Sequence, residues 1–106
     1  MIRTKKYRMT LSLDDEVDVV IQKKNGEIYA FSVNYRTNIN GKWHDVIRYD
    51  SAHRIIHVQK FWISPKVIPI RRFTFEDMEI AVIEAVKDVK ENWMRYREYL
   101  IKKVRK

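Results

Sequence analysis

The chain has no cysteine, only two glycines and two prolines, and no long apolar run. Each shortage narrows the field. Without cysteine there is no disulfide framework, no thiolate nucleophile and no zinc–cysteine site. A membrane helix needs about 18 consecutive apolar residues, and no stretch approaches that length. The basic start, MIRTKKYRMT, lacks the apolar run of a secretory signal, so the expected location is the cytoplasm. With so few helix and strand breakers in 106 residues, the loops should be short and the chain one domain, 1–106, around a single core.

Positive charge is what the chain has in excess. Twenty-two Lys and Arg against 14 Asp and Glu give a net charge of +8. Such an imbalance steers polyanions, nucleic acid foremost, towards a protein; a basic surface kept for solubility or for an acidic protein partner is the alternative reading. A hydrophobic fraction of 45% is that of a folded globule. The abundance of Lys, Arg, Glu, Ile and Val leans towards a thermophile composition.

Two Asn-Gly pairs, Asn25-Gly26 and Asn40-Gly41, organise the front half, because this dipeptide suits the left-handed positions of a tight hairpin turn. Around them lie segments rich in β-branched and aromatic residues: EVDVVIQKK, EIYAFSVNYRT, KWHDVIRYD and HRIIHVQKFWI. They predict an antiparallel meander of four to five strands over about 7–63, with YRMTLSL as an edge strand. Pro65 and Pro69 lack the N–H a ladder needs, so about 64–73 reads as a linker. From Thr74, which with Asp77 resembles a capping box, a helix is predicted to about 104. Val82, Ala85, Val89, Trp93, Tyr96, Leu100 and Val104 mark its apolar face. The fold class is α+β, with that helix packed on one face of the sheet.

Strict two-residue turns and a side-chain period of two sort the strands into two faces. Val17, Val19, Ile21, Ile28, Ala30, Ile47, Tyr49, Ile56 and Val58 fall on one, the expected seat of the helix. Tyr29, Phe31, Val33, Tyr35, His44, Val46, Arg48, Asp50, His53, Ile55 and His57 fall on the other. A third turn around Ser51-Ala52 pairs Asp50 with His53 and sets Arg48 opposite Ile55, with His53 and His57 diagonal to it. His53 and His57 are about 13 Å apart along a strand, too far to share one metal ion, so no metal or other cofactor is expected. Arg48 between two imidazoles is instead about the size of a phosphodiester. The arginine would bind phosphate oxygens, His53 and His57 would exchange protons with His44 in reserve, and Asp50 would orient a ring. Tyr29, Phe31 and Tyr35 are candidates to stack bases or to pack, and Lys60, Arg71 and Arg72 to line the backbone path.

The stretch VIRYDSAHRIIHVQKFW, residues 46–62, resembles the small toxin components of TumE-type toxin–antitoxin systems and related archaeal proteins. Those proteins end one strand with Arg-Tyr-Asp and place histidines on the next; Arg48, Tyr49, Asp50, His53 and His57 match. The resemblance implies a toxin acting on RNA, with an antitoxin protein as partner. Three readings follow. One is a metal-independent ribonuclease of toxin type. Another is a nucleic-acid-binding module without turnover. The third is an interaction domain, a homodimer joined through the aromatic face.

Overall fold

Among the described residues six strands follow one another in the chain and in space: β1 (Ile2–Ser12), β2 (Asp15–Lys24), β3 (Glu27–Ile39), β4 (Lys42–Ala52), β5 (Ile55–Lys60) and β6 (Ile68–Arg72). Every neighbouring pair is antiparallel, and one helix, α1 (Phe75–Val104), closes the chain. The structure, a computed structural model, describes residues 1–52, 55–63, 68–72 and 75–105; at 52, 68–72 and 75–77 it describes the backbone alone. His53, Pro65, Lys66 and Thr74, expected to cap the helix, lie outside the described residues.

The meander and the C-terminal helix are those the sequence predicts. Both Asn-Gly turns form as expected. Asn25 and Asn40 have φ of 53°, and Gly26 and Gly41 have φ of 79° and 84°, so both central residues of each turn are left-handed. Lys24 pairs with Glu27 and Ile39 with Lys42. The sheet is longer at both ends than predicted: β1 begins at Ile2, and the segment read as a linker carries β6. Pro69 is tolerated there because β6 is the last strand and has a partner on one side only.

Two β-bulges change which residues face the helix. Between β2 and β3 the register shifts at Gln22/Lys23, leaving Tyr29 as the extra residue. Between β3 and β4 it shifts again at Tyr35/Arg36, leaving Val46 unpaired. Each extra residue inverts the in/out alternation beyond it. Phe31, Val33 and Tyr35 therefore pair with Ile21, Val19 and Val17 and join the aliphatic face. Tyr35 and Val33 are fully buried and Phe31 is nearly so.

Helix α1 covers this combined face. Met78, Val82, Ala85, Val89 and Leu100 are buried against it, with Trp93 and Tyr96 packed at the margin. Each valine, leucine or methionine side chain so removed from water contributes roughly 1.5–3 kcal/mol. Val104, assigned to the same stripe, is exposed. Trp62 stacks on Tyr96 with ring centroids 5.0 Å apart, and Lys103 Nζ donates to the Phe61 carbonyl at 2.6 Å, fastening the last turns to the end of β5. Among the described residues no helix is long and apolar enough to cross a membrane.

Two carboxylates lie between the layers. Asp15, buried, accepts hydrogen bonds from Tyr35 Oη (2.6 Å), Thr37 Oγ1 (2.7 Å) and Ser12 Oγ (2.5 Å). Arg97 of α1 donates through Nε to Thr37 Oγ1 at 3.1 Å and lies 3.6 Å from Asp15 Oδ1. Asp88, on α1, accepts from Tyr49 Oη (2.6 Å), Tyr96 Oη (2.7 Å) and Asn92 Nδ2 (2.8 Å). The two clusters tie the helix to the sheet by directional contacts that apolar packing alone does not supply.

Candidate functional site: the uncovered face of the sheet

The face turned away from the helix is polar because alternate residues of each strand must point there. Across β1 to β4 it carries a ladder of charges. Arg8 Nε contacts Asp18 at 2.7 Å and its Nη1 lies 3.5 Å from Glu16. Arg36 lies 3.5 Å from Glu16 and 3.8 Å from Asp45, and Arg48 3.8 Å from the other oxygen of Asp45. These three arginines meet three carboxylates, so the middle of the face is nearly neutral. The excess of positive charge lies outside the ladder, on β1, at the hairpin ends and at the end of α1.

At the β4–β5 edge of this face stand Arg48, Asp50 and His57. The hairpin turns later than predicted: β4 runs to Ala52 and β5 starts at Ile55, so Asp50 pairs with His57 and Arg48 with Gln59. His57 Nδ1 lies 3.7 Å from Asp50 Oδ1. This corrects the pairing of Asp50 with His53 and of Arg48 with Ile55. A turn read two residues too early shifts every cross-strand partner without changing the face. His57 remains diagonal to Arg48, a separation of about 7–8 Å in antiparallel sheets. The Arg48 guanidinium also lies 6.0 Å from the Phe61 ring, which limits its travel.

Beside Arg48 in register is Asn34, whose Nδ2 donates to Asp45 at 3.2 Å. Its Oδ1 is buried and accepts no hydrogen bond from the described residues. Arg48, Asp50, His57 and the Asn34 amide thus form a small polar corner with one guanidinium, one imidazole and a carboxylate beside that ring.

The other expected site residues are distributed differently. His44 pairs with Thr37, whose hydroxyl faces Asp15 beneath the helix, while its neighbour Asp45 belongs to the open face. His44 therefore does not join His57; the bulge at Val46 separates them. Phe31 and Tyr35 are covered by the helix and cannot stack bases, and Trp93 meets Tyr35 edge-on at 6.4 Å. Tyr29 alone of the three is exposed, at 46%, and marks the first bulge. The open aromatic face on which a homodimer was expected is thus the inner face of the molecule. Lys60 pairs with Ile47 on the helix side, and Arg71 and Arg72 pair along β5 with Ile56 and Ile55. His53 lies outside the described residues. Among the described residues no group of three or more His, Asp or Glu side chains converges as a metal ion requires.

The carboxylate clusters were not foreseen as units. Burial, and secondarily the bond to Asp15, pushes the Tyr35 phenol upward; burial and then Asp88 do the same for Tyr49. Tyr96, less covered, is pushed up to about 12 by burial and Asp88. These phenols are donors locked to carboxylates, which is a structural use of tyrosine and leaves Tyr49 of the Arg-Tyr-Asp tripeptide on the inner face.

In comparisons with known proteins, the family described as "Domain of unknown function (DUF7718)" matches residues 2–106. No match is found among curated proteins or among solved structures.

Proposed function

The chain belongs to the DUF7718 family, and we propose that it binds RNA phosphates at the β4–β5 corner of its open sheet face. The observation that carries the reading is the Asp50–His57 cross-strand pair with Arg48 diagonal to it, on a face the helix leaves uncovered. Arg48 would take the non-bridging oxygens of one phosphodiester. The +8 charge supplies the long-range attraction, and the ion pairs of Arg8 and Arg36 keep the rest of the face near neutral. Binding would therefore be focused on the corner rather than spread across the sheet.

Cleavage is a further step within the same proposal. The 2′-hydroxyl of RNA would attack phosphorus, and the bond from phosphorus to the 5′-oxygen would break, leaving a cyclic phosphate. His57, held by Asp50, would take the hydroxyl proton, and His53 of the same hairpin is the sequence candidate to protonate the leaving oxygen. A toxin-type setting, with an antitoxin as partner, rests on the resemblance at residues 46–62 alone. Without cleavage, the same corner serves a binding module.

Incubation with labelled single-stranded RNA in EDTA, beside Arg48→Ala and His57→Ala, separates these outcomes. The expected result is salt-sensitive binding that weakens by about tenfold in Arg48→Ala, the loss of one charge-assisted contact of about 1.5 kcal/mol. Any strand scission should vanish in His57→Ala while binding persists. Equal RNA affinity of wild type and Arg48→Ala, with both folded, contradicts the proposal.

A further inference from the structure

Strand β1 is the outer edge of the sheet, and eight of its 11 residues are exposed. Its free edge offers alternating backbone donors and acceptors, the template on which an extended peptide adds as another strand. Between β1 and α1 runs an open groove of about 470 Å³, within the range of ligand clefts. Tyr7, Ile83 and Val86 give it apolar walls, and Lys87, Lys90 and Glu91 line its rim. Ile83 is 61% exposed there, and Ile80, one turn earlier on α1, is also exposed. Along β1 stand Arg3, Lys5, Lys6 and Arg8 and no acidic residue. Arg8 is engaged with Asp18 and Glu16, whereas Arg3, Lys5 and Lys6 have no carboxylate partner among the described residues.

We infer that the β1 edge and the adjoining groove form a docking site for an extended acidic peptide, which adds as a seventh strand and seats an apolar side chain against Tyr7 and Ile83. Charge selects this occupant. A second copy pairing through β1 would bring four cations on each strand face to face, which like-charge repulsion opposes. A phosphodiester chain satisfies the cations but offers acceptors in place of the alternating donors and acceptors the edge requires. An acidic strand meets both demands: on the side it shares with the groove, an apolar side chain lies at Tyr7 and Ile83 between acidic ones that face Lys5, Lys87 and Lys90. This surface is separate from the Arg48–His57 corner, which lies on the other side of the sheet and three strands away.

The test uses the full chain and a panel of short glutamate-rich peptides with one central valine, leucine or phenylalanine, each beside its lysine counterpart. Fluorescence anisotropy reads affinity, and backbone hydrogen exchange reads where the peptide lies. The glutamate peptides should bind at least about tenfold more tightly than the lysine ones, as opposite-sign pairing requires. They should slow exchange in β1. The Lys87→Glu/Lys90→Glu variant, whose changes are on the exposed side of α1, should lose about tenfold in affinity while remaining folded. Ile83→Glu should lose binding of the leucine and phenylalanine peptides. Equal binding of both charge series, or no peptide binding, overturns the inference. So does protection of β1 that appears only as protein concentration rises, or with single-stranded RNA and not with peptide.

Discussion

Replacing Asp15 with alanine is expected to lower the free energy of unfolding by about 3–5 kcal/mol, the cost of breaking a buried ionic group from its partners. The carboxylate is buried and accepts from three hydroxyls while Arg97 lies 3.6 Å away. Its removal leaves the Tyr35 and Thr37 hydroxyls in an apolar layer with no acceptor of equal reach. An unmet buried donor costs roughly 1–3 kcal/mol. It also leaves the Arg97 guanidinium without its counter-charge. Asp15→Asn should cost less, because the amide oxygen still accepts from Tyr35 and Thr37 and Ser12 Oγ can accept from the amide nitrogen. Tyr35→Phe, which removes one donor and keeps the ring packing, should cost about 1 kcal/mol. Urea unfolding of the three variants gives the order. A loss under about 1 kcal/mol for Asp15→Ala would mean the cluster holds the helix no better than packing does.

Alkaline pH should unfold the protein steeply, with the loss beginning above pH about 10, where ordinary phenols ionise. Below that pH both folded and unfolded chains carry neutral tyrosine, and these groups give no pH dependence. Above it the unfolded chain releases protons that folded Tyr35 and Tyr49 retain, since both phenols are pushed upward by burial and by their carboxylate partners. Each such group lowers stability by about 1.4 kcal/mol per pH unit until its folded form also ionises. Two give roughly 3 kcal/mol per unit, and Tyr96, pushed up to about 12 but more open to solvent, adds a smaller share. Against a total stability of about 5–15 kcal/mol, a few pH units suffice. Denaturant midpoints followed from pH about 9 upward, together with tyrosinate absorbance, measure this directly. Tyr49→Phe should be less stable at neutral pH yet show a shallower alkaline decline. A decline of unchanged slope in that variant would assign the alkaline loss to other groups.

The architecture was readable because its signals are local. Asn25-Gly26 and Asn40-Gly41 specify left-handed turns from two residues each, and the stripe from Val82 to Leu100 specifies a helix and its buried side. The faces were not readable. A bulge at Tyr29 and another at Val46 leave no signature in a pattern of period two, yet each inverts everything beyond it. That is why Phe31 and Tyr35, aromatic residues that suit a stacking platform, are core residues, and why His44 parts from His57. The late turn of the third hairpin has the same origin: Ser51-Ala52 carries no left-handed preference comparable to Asn-Gly, so its position had no local anchor. Asp15 and Asp88 escaped notice because their hydroxyl partners Tyr35, Thr37 and Tyr49 lie 20 to 39 residues away. Arg48, Asp50 and His57 stayed together because they occupy one hairpin, where a shift of two residues preserves the face.

The most direct test of the RNA-binding reading is a titration of isotope-labelled protein with a single-stranded RNA, following backbone amides and the side-chain signals of Arg48 and His57 by NMR. The account predicts the largest shifts at Arg48, His57 and their neighbours on β4 and β5, fading as salt is raised. Shifts confined to β1, to the end of α1 or to no residue at all would contradict it.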